Sequence, residues 1–553
     1  MEALKRLILA LLIGGSAFLI VYPAGRLMLR TLIAPAGRVG AENYIEFITE
    51  SDLLITLWHS IYVALGTTIL ALILGLPMAW VVSRTNIPCK GLIRNLTVLT
   101  LASPSFLGAL AWILLLGPRA GRLNLLFQEL FNLEAPPFNI FSPEGMIFVL
   151  ALFSYPLVFF AVSSALDNMD ANLEDCARIL GAGRVRTALT ITLPAVLPAI
   201  LAGAILVFVE ALVIFGPPAV LGMPVGYYTL ATKMYVVLQK IPPRVELSAV
   251  MAVPIIMTLA GLLILQRLYL GRRQYTILSG RAAPQRVELH FWRYPLALFC
   301  LLVVALSIFV PFGTLFMVSL QKTFANPIGP ENFAALANYR YLFQQSAVPR
   351  ALSHSFILAS GAVLIALALS VISSWVVERS KMRGVELLSL MMMSPLAFPG
   401  AALGVGLILA FAASPFNLSG TLAIILLAYV IRSLPLTFSY ARASLKQVHP
   451  EMEEASRILG GGWLKSLYHI TAPLMKGGLL AAGALTFVLL FRELGSSIFL
   501  YKGGNEVVAV VLYDLAMEAN FALMSALSMV IAAVNLGVVL TARRFIGRGP
   551  LQV

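Results

Sequence analysis

The chain has 553 residues, of which 60% are hydrophobic and 12% are charged, and its formal net charge is +14. Since soluble domains carry about 25% charged residues, this composition excludes an ordinary water-soluble protein and predicts an all-α, polytopic membrane protein. The positive charge does not indicate nucleic-acid binding, because Lys and Arg also mark the cytoplasmic loops of membrane proteins.

Twelve apolar segments are long enough to cross a hydrocarbon core of about 30 Å. In chain order the predicted spans are 7–29, 54–82, 95–117, 146–166, 195–216, 246–268, 295–319, 353–377, 386–412, 419–440, 478–500 and 521–542. The larger share of the 39 Lys and Arg residues falls on the side that holds both termini. By the positive-inside rule we expect that side to be cytoplasmic.

The chain contains a duplication. The stretch "EDCARILGAGRVRTALTITLP" begins at Glu174, and "EEASRILGGGWLKSLYHITAP" begins at Glu453. Upstream, "WVVSR" at 80–84 pairs with "WVVER" at 375–379. The order of these matches predicts two six-span repeats with the same orientation, related by a pseudo-twofold axis along the membrane normal. We expect a first repeat at 1–268, a cytoplasmic linker at 269–294 and a second repeat at 295–553.

Each copy of the polar stretch lies between the fourth and fifth spans of its repeat. It opens with acidic residues, which favour a helix N-terminus, and then reaches a Leu-Gly pair, at which glycine can end a helix in the left-handed conformation. The sequence therefore predicts short helices near 174–181 and 453–460. Ordinary interfacial loops are the alternative, but loops tolerate drift, and these two copies keep the same spacing.

This spacing resembles the EAA motif of binding-protein-dependent ABC importer permeases. The matching residues are Asp175, Cys176, Ala177, Gly181, Ile191, Leu193 and Pro194 in the first copy, and Glu454, Ala455, Ser456, Gly460, Ile470 and Pro473 in the second. Asp175 and Cys176 depart from Glu-Ala, and Ala472 replaces the leucine before the final proline.

The resemblance implies that each short helix is a coupling helix that docks on a cytoplasmic ATPase. It implies two copies of that ATPase, a periplasmic substrate-binding protein and a bacterial inner membrane. The residues assigned to ATPase coupling are Glu174, Asp175, Ala177, Gly181, Glu453, Glu454, Ala455 and Gly460.

The chain carries no phosphate-binding G-x-x-x-x-G-K-[ST] loop, no H-E-x-x-H and no G-x-S-x-G. Its three cysteines show no metal-ligand spacing. We therefore expect a transport channel rather than an enzyme, with no catalytic residue, no metal site and no cofactor of its own. ATP and Mg²⁺ would be bound by the partner ATPase.

The cargo is less constrained than the class of protein. A double-length permease with "GPPAVLG" after span five and "ELGSSIFLY" at span eleven resembles the ferric-iron type. Related permeases for polyamines, phosphonates, sugar phosphates and thiamine leave other cargoes open. An ion-driven secondary transporter is the alternative from another class, but it needs an ion site in the membrane, and few acidic residues are predicted there.

Some residues within the predicted spans are candidates for the translocation path or a gate. They are Glu210, Glu493, Ser103, Pro104, Ser394 and Pro395. Ionisable residues in a span are functional candidates by default, although a packed, hydrogen-bonded acid is the alternative. The Ser-Pro pairs predict helix breaks, either in pore-lining segments or as static kinks. His59 and His354 occupy equivalent positions, which shared descent explains without a metal.

Overall fold

The computed structural model describes residues 2–33, 38–169, 172–271, 287–324, 330–380, 382–458 and 461–546. These residues form no β-strand and only isolated β-bridges, which confirms the all-α prediction. Most of the predicted linker 269–294 lies outside the described residues, as does Gly460.

The helices are numbered here in chain order. Up to the predicted linker they are α1 (Arg6–Thr31), α2 (Glu42–Thr49), α3 (Ser51–Arg84), α4 (Lys90–Ala102), α5 (Ser105–Leu116), α6 (Arg122–Phe131), α7 (Pro143–Asn168), α8 (Asn172–Ile179), α9 (Ala188–Val213), α10 (Gly216–Leu221), α11 (Leu230–Leu238) and α12 (Val245–Gly271). After it they are α13 (His290–Ser319), α14 (Ala337–Gln344), α15 (Ala347–Arg379), α16 (Val385–Ala397), α17 (Gly400–Phe411), α18 (Leu422–Lys446), α19 (Pro450–Ile458), α20 (Leu467–Phe491), α21 (Ser497–Leu500), α22 (Val508–Met517) and α23 (Phe521–Phe545).

Ten of these helices are long and apolar enough to cross a membrane, and two bent pairs bring the number in the described residues to as many as twelve. The pairs are α4 with α5, bent by 96°, and α16 with α17, bent by 111°. The first bend lies at the predicted Ser103-Pro104, whereas the second lies at Phe398-Pro399, because Ser394 and Pro395 belong to a tight helical turn that ends α16. Pro104 precedes α5 and Pro399 precedes α17, and a proline cannot donate the backbone hydrogen bond that would continue the preceding helix.

The eleventh span begins and ends earlier than predicted. The expected range was 478–500, but α20 covers Leu467–Phe491, and Arg492 and Glu493 follow its end. Helical hydrogen bonding starts at Trp463 and continues through a π-helical turn at Leu467–Thr471, so the helix includes polar residues that a hydropathy window leaves out. Glu493 is therefore a loop residue, whereas Glu210 lies in the last turn of α9.

By packing, the chain divides into two compact units. Unit one contains residues 1–50, 233–256 and 334–552. Within it, the first span packs on the second repeat: Phe18 contacts Phe411 with ring centroids 5.4 Å apart. Gly406 allows the backbone to approach α1, because a Cβ there would lie 3.1 Å from the carbonyl oxygen of Pro23.

Unit two contains residues 51–232 and 257–333. Its core joins α3, α7 and α9 to α13, the first span of the second repeat, through buried residues that include Val82, Tyr155, Val207 and Cys300. Each packing unit therefore includes the opening span of the other repeat. The repeat boundaries at 268 and 295 remain a prediction about the duplication, which is a different division of the chain.

Candidate functional site

The first copy of the polar stretch forms a helix followed by a sharp turn. Helix α8 ends at Ile179, and the amide of Ala182 then donates to the carbonyl of Ala177 at 2.9 Å. Gly181 between them has a φ of +83°, a conformation that glycine adopts without a steric penalty. The chain continues into a π-helical turn at Ala188–Thr192. We call residues 172–192 the first elbow.

The second copy, residues 450–471, has the same construction and is called the second elbow. The amide of Gly461 donates to the carbonyl of Ser456 at 2.8 Å, which repeats the bond of the first elbow at equivalent positions. A π-helical turn at Leu467–Thr471 follows. The two copies thus share hydrogen bonds as well as sequence.

Apolar side chains project from both elbows. Ile179 and Leu180 are 84% and 87% exposed, and Ile458, the equivalent of Ile179, is 86% exposed. Cys176, Glu454 and Ala455 are exposed as well. Exposed large apolar side chains at a helix end form a candidate surface for a partner. These isoleucines are not among the residues predicted from the motif, although the sequence "RILG" occurs in both copies and places an isoleucine at the same position in each.

A groove opens beside the second elbow, between α19 and the start of α20. It has a volume of about 570 Å³ and is lined by Met452, Ala455, Lys465 and His469, among others. Its walls combine apolar side chains with Lys465, His469 and the acidic Glu451. The exposed Ile458 stands at the end of the same helix.

Glu453 points into the bundle, and its side chain is 3% exposed. Arg379 at the end of α15 donates from Nε to Glu453 Oε1 at 3.2 Å. Trp375 Nε1 donates to Glu453 Oε2 at 3.2 Å, and Thr471 Oγ1 donates to Oε1 at 3.2 Å. We call Glu453, Arg379, Trp375 and Thr471 the second anchor.

Arg379 also reaches the end of a third helix. Its Nη2 donates to the carbonyl of Val448 at 2.7 Å and to that of Leu445 at 3.4 Å. Leu445 lies in the last turn of α18 and Val448 follows the helix directly after its cap, Gln447, and a cation is favourable at a helix C-terminus.

The first repeat contains the equivalent arrangement in a looser form, the first anchor. Thr192 Oγ1 donates to Glu174 Oε1 at 2.7 Å, but Arg84 Nη1 lies 3.8 Å from Glu174 Oε2. Arg84 is 2% exposed, and none of its guanidinium nitrogens makes a hydrogen bond within the described part of the chain. The last part of the predicted linker borders this anchor, since the amide of Val287 donates to the carbonyl of Arg84 at 2.8 Å.

The other residues assigned to coupling differ in their placement. Ala177 is buried, Gly181 forms the turn, and the side chain of Asp175 is outside the described part of the structure. Of the eight assigned residues, Glu454 and Ala455 are exposed on the elbow surface, whereas Glu174 and Glu453 are anchored inside.

The candidate path residues are paired with polar neighbours. Ser154 donates to Glu210 Oε2 at 3.0 Å. Glu493 Oε1 accepts the amide of Ser496 at 3.0 Å, and its Oε2 lies 3.2 Å from Arg432 Nη2. Arg432 also borders the break between α16 and α17, because a Cβ at Gly400 would lie 2.6 Å from its Nη1. One break is therefore packed against an ion pair.

The two His-Ser pairs brace short helices that lie between spans. His59 Nδ1 lies 3.1 Å from the carbonyl of Tyr228, and Ser60 Oγ accepts the amide of Leu230 at 2.7 Å, at the start of α11. In the second repeat, His354 Nδ1 lies 3.1 Å from the carbonyl of Glu506, and Ser355 accepts the amide of Val508 at 2.8 Å.

Helix α22, which is shorter than the spans, carries a carboxyl group with a perturbed pKa. Burial raises the pKa of Asp514 to about 6, with further contributions from the negative charges of Glu518 and Glu506. The same surroundings raise the pKa of Tyr501 to about 12, chiefly by burial.

Comparisons with known proteins agree with one another on the class. A family model described as "Binding-protein-dependent transport system inner membrane component" matches residues 62–272. The chain is 24% identical over 527 residues to the ferric transport system permease protein FbpB of Actinobacillus pleuropneumoniae, which covers 95% of this chain and 75% of that protein.

Two shorter relatives carry other names. The molybdenum transport system permease protein ModB of Escherichia coli is 33% identical over 188 residues, or 33% of this chain and 80% of that protein. The putative 2-aminoethylphosphonate transport system permease protein PhnV of Salmonella typhimurium is 28% identical over 228 residues, or 41% of this chain and 85% of that protein.

Proposed function

The chain belongs to the family of binding-protein-dependent transport system inner membrane components, and from that membership we propose that it imports ferric iron with the help of two ATPase subunits. It is a multi-pass permease subunit of an ABC importer. The two ATPases, the ferric cargo, the bacterial inner membrane with both termini in the cytoplasm, and the coupling role of the elbows are the proposal.

The duplicated elbow carries the proposal about the partners. Each elbow exposes an isoleucine at the end of a short helix and is braced by a turn and a buried carboxylate. Burial of exposed apolar side chains of this kind by a partner lowers the free energy of the complex. Two equivalent surfaces indicate two equivalent partner subunits, one on each elbow, which hydrolyse ATP in the cytoplasm.

A docking test uses one substitution with a matched control. Ile458→Asp places a charge on the second elbow, whereas Ile241→Asp alters a loop residue that is 98% exposed and outside both elbows. We expect Ile458→Asp to abolish copurification of the ATPase and Ile241→Asp to preserve it. Equal retention of the ATPase by both variants would refute the proposal that the second elbow binds the ATPase.

The ferric cargo is supported by similarity along nearly the whole chain. One relative that covers 95% of this chain is named as a ferric transport permease, another with the same coverage is named only as a probable ABC transporter permease, and the molybdenum and phosphonate relatives cover less than half of the chain.

The cargo test measures uptake of radiolabelled ferric iron by iron-starved cells with and without this chain. Molybdate, 2-aminoethylphosphonate, polyamines, sugar phosphates and thiamine are supplied as competitors in parallel. Loss of iron uptake on deletion, restored by the wild-type chain, is the expected result. Undiminished iron uptake together with loss of a competitor's uptake would reassign the cargo and leave the importer class intact.

We further propose that the broken spans line the translocation path. Non-helical backbone within a membrane requires surrounding protein or water. Ser103-Pro104 lies at one such break, and Ser394-Pro395 lies in the turn just before the other. Glu493 and Arg432 pack beside one of them. Glu210 lies at the end of α9 with Ser154. The predicted role of these residues is to shape a gate that opens when the elbows move.

A further inference from the structure

We propose that Glu453 and Glu174 are positioning residues, each of which ties an elbow to an arginine at the end of a neighbouring span, so that displacement of the elbow is carried into that span. The proposal rests on the proposed function, because an ATPase must displace the elbows. It assigns to the two acids a role inside the bundle in place of direct contact with the ATPase.

The second anchor connects three helices through one carboxylate. Glu453 belongs to α19, Arg379 and Trp375 belong to α15, and Thr471 lies at the π-helical turn that opens α20. Arg379 then holds the end of α18 through two backbone carbonyls. A displacement of α19 therefore acts on the ends of α15 and α18 and on the start of α20 through charge-assisted hydrogen bonds.

Stability alone does not account for such an arrangement. A buried ion pair loses the solvation of both charges, and well-packed apolar residues of similar volume are often equally stabilising. The duplication nevertheless keeps Arg, Glu and Thr at equivalent positions in both repeats. A fixed connection between helices is a property that an apolar cluster, which is non-directional, does not provide.

The two anchors differ in tightness. In the second, the carboxylate receives three donors at 3.2 Å. In the first, the arginine is 3.8 Å from the carboxylate and its buried nitrogens lack hydrogen bonds within the described residues. We therefore infer that displacement of the second elbow is carried into its neighbouring span more fully than displacement of the first. We expect removal of the first anchor to have the smaller effect on transport.

The test separates transmission from stability with a double substitution. Removing one charge, in Glu453→Gln or Arg379→Met, leaves its buried partner uncompensated and lowers stability. The double variant, Arg379→Met with Glu453→Gln, removes both charges and is expected to recover the melting temperature and the ATPase association of the wild type. Arg84→Met with Glu174→Gln is the matched pair in the first repeat.

The readout is the transport coupling ratio, measured in proteoliposomes that contain the complete complex. Radiolabelled ferric iron is supplied on its binding protein, and iron uptake is divided by ATP hydrolysed. We expect the Arg379/Glu453 double variant to lose about tenfold in this ratio, since allosteric coupling is typically worth about 5- to 150-fold. The Arg84/Glu174 double variant should lose less.

The outcomes distinguish this inference from the proposed function. A stable, ATPase-bound double variant with a wild-type ratio would overturn the positioning role and leave the importer untouched. A wild-type chain that neither retains an ATPase nor transports iron would instead overturn the proposed function. If molybdate or 2-aminoethylphosphonate is the transported cargo, the ratio of that cargo's uptake to ATP hydrolysed is measured instead. A wild-type ratio in the stable double variant would again overturn the positioning role.

Discussion

The indole of Trp375 provides a stability test of the second anchor. Its Nε1 donates to the buried carboxylate of Glu453 at 3.2 Å, and its ring packs 5.2 Å from that of Trp463. Trp375→Phe keeps an aromatic ring but removes this donor. Trp80 is the equivalent residue in the first repeat, but it is only partly buried and makes no hydrogen bond within the described residues. Trp80→Phe is therefore the matched control.

A hydrogen bond to a charged group is worth about 1.5–3 kcal/mol. The hydrophobic replacement at Trp80 costs about 1 kcal/mol, because volume is largely kept and no donor is lost. Trp375→Phe bears this replacement cost as well as the loss of the donor, so at about 2 °C per kcal/mol for a unit of this size it should lower the apparent Tm by about 5–8 °C. The control should lower it by about 2 °C.

The assay heats the detergent-solubilised protein and quantifies the fraction that remains monodisperse by size-exclusion chromatography. Adding Glu453→Gln to Trp375→Phe should cost less than the sum of the two single effects, because both changes act on one hydrogen bond. Equal shifts for Trp375→Phe and Trp80→Phe, or full additivity with Glu453→Gln, would refute the reasoning.

Three further predictions concern packing, pH and chemical access. Gly75→Ala should destabilise the protein by about 1–3 kcal/mol, since its Cβ would lie 2.9 Å from the carbonyl oxygen of Tyr155. Gly261→Ala should stabilise the protein by about 0.5–1 kcal/mol, because the space around Gly261 is open. A lower apparent Tm for Gly261→Ala than for Gly75→Ala would contradict this. The raised pKa of Asp514, about 6 against an ordinary 3.8, means that the folded state binds the proton more tightly than the unfolded state. Stability should therefore fall as the pH rises from 4 to 6, and Asp514→Asn should raise the apparent Tm at pH 7.5 and flatten that slope; an unchanged slope would count against the assignment. A maleimide should label the exposed Cys89 and Cys176 rapidly and the buried Cys300 slowly, as mass spectrometry of the labelled peptides would show, and the partner ATPase should protect Cys176 selectively.

Span number and helix breaks were predictable because they depend on local properties. Hydropathy over about 20 residues locates a span. The Ser103-Pro104 pair supplied the bend before α5, and the bend before α17 lies at Pro399, shortly after Ser394-Pro395. The turn at Gly181 followed from a Leu-Gly pair in the same way. The boundaries of α20 were missed, because its first turn contains His469 and other polar residues that continue the helix without being apolar.

The placement of the acids was beyond sequence reasoning. Glu453 and Glu454 are neighbours in the sequence, but one is buried against Arg379 and the other is exposed. Helical geometry separates their directions by about 100°, and only the position of α15 decides which one is turned inward. The membership of α1 in unit one is similarly non-local, since it depends on contacts with residues beyond 334.

The interleaving of the repeats has a consequence for biosynthesis. Residues 1–50 belong to a unit that also needs residues from 334 onwards. At a synthesis rate of about 5–20 residues per second, roughly 280 residues separate the two, so the first helix waits about 15–60 s for its final neighbours. It can wait in the bilayer because a helix satisfies its own backbone hydrogen bonds there. Splitting the gene at the linker would consequently yield two polypeptides. Each would lack the helix that its packing unit takes from the other repeat, α13 for the first polypeptide and α1 for the second, until the two associate.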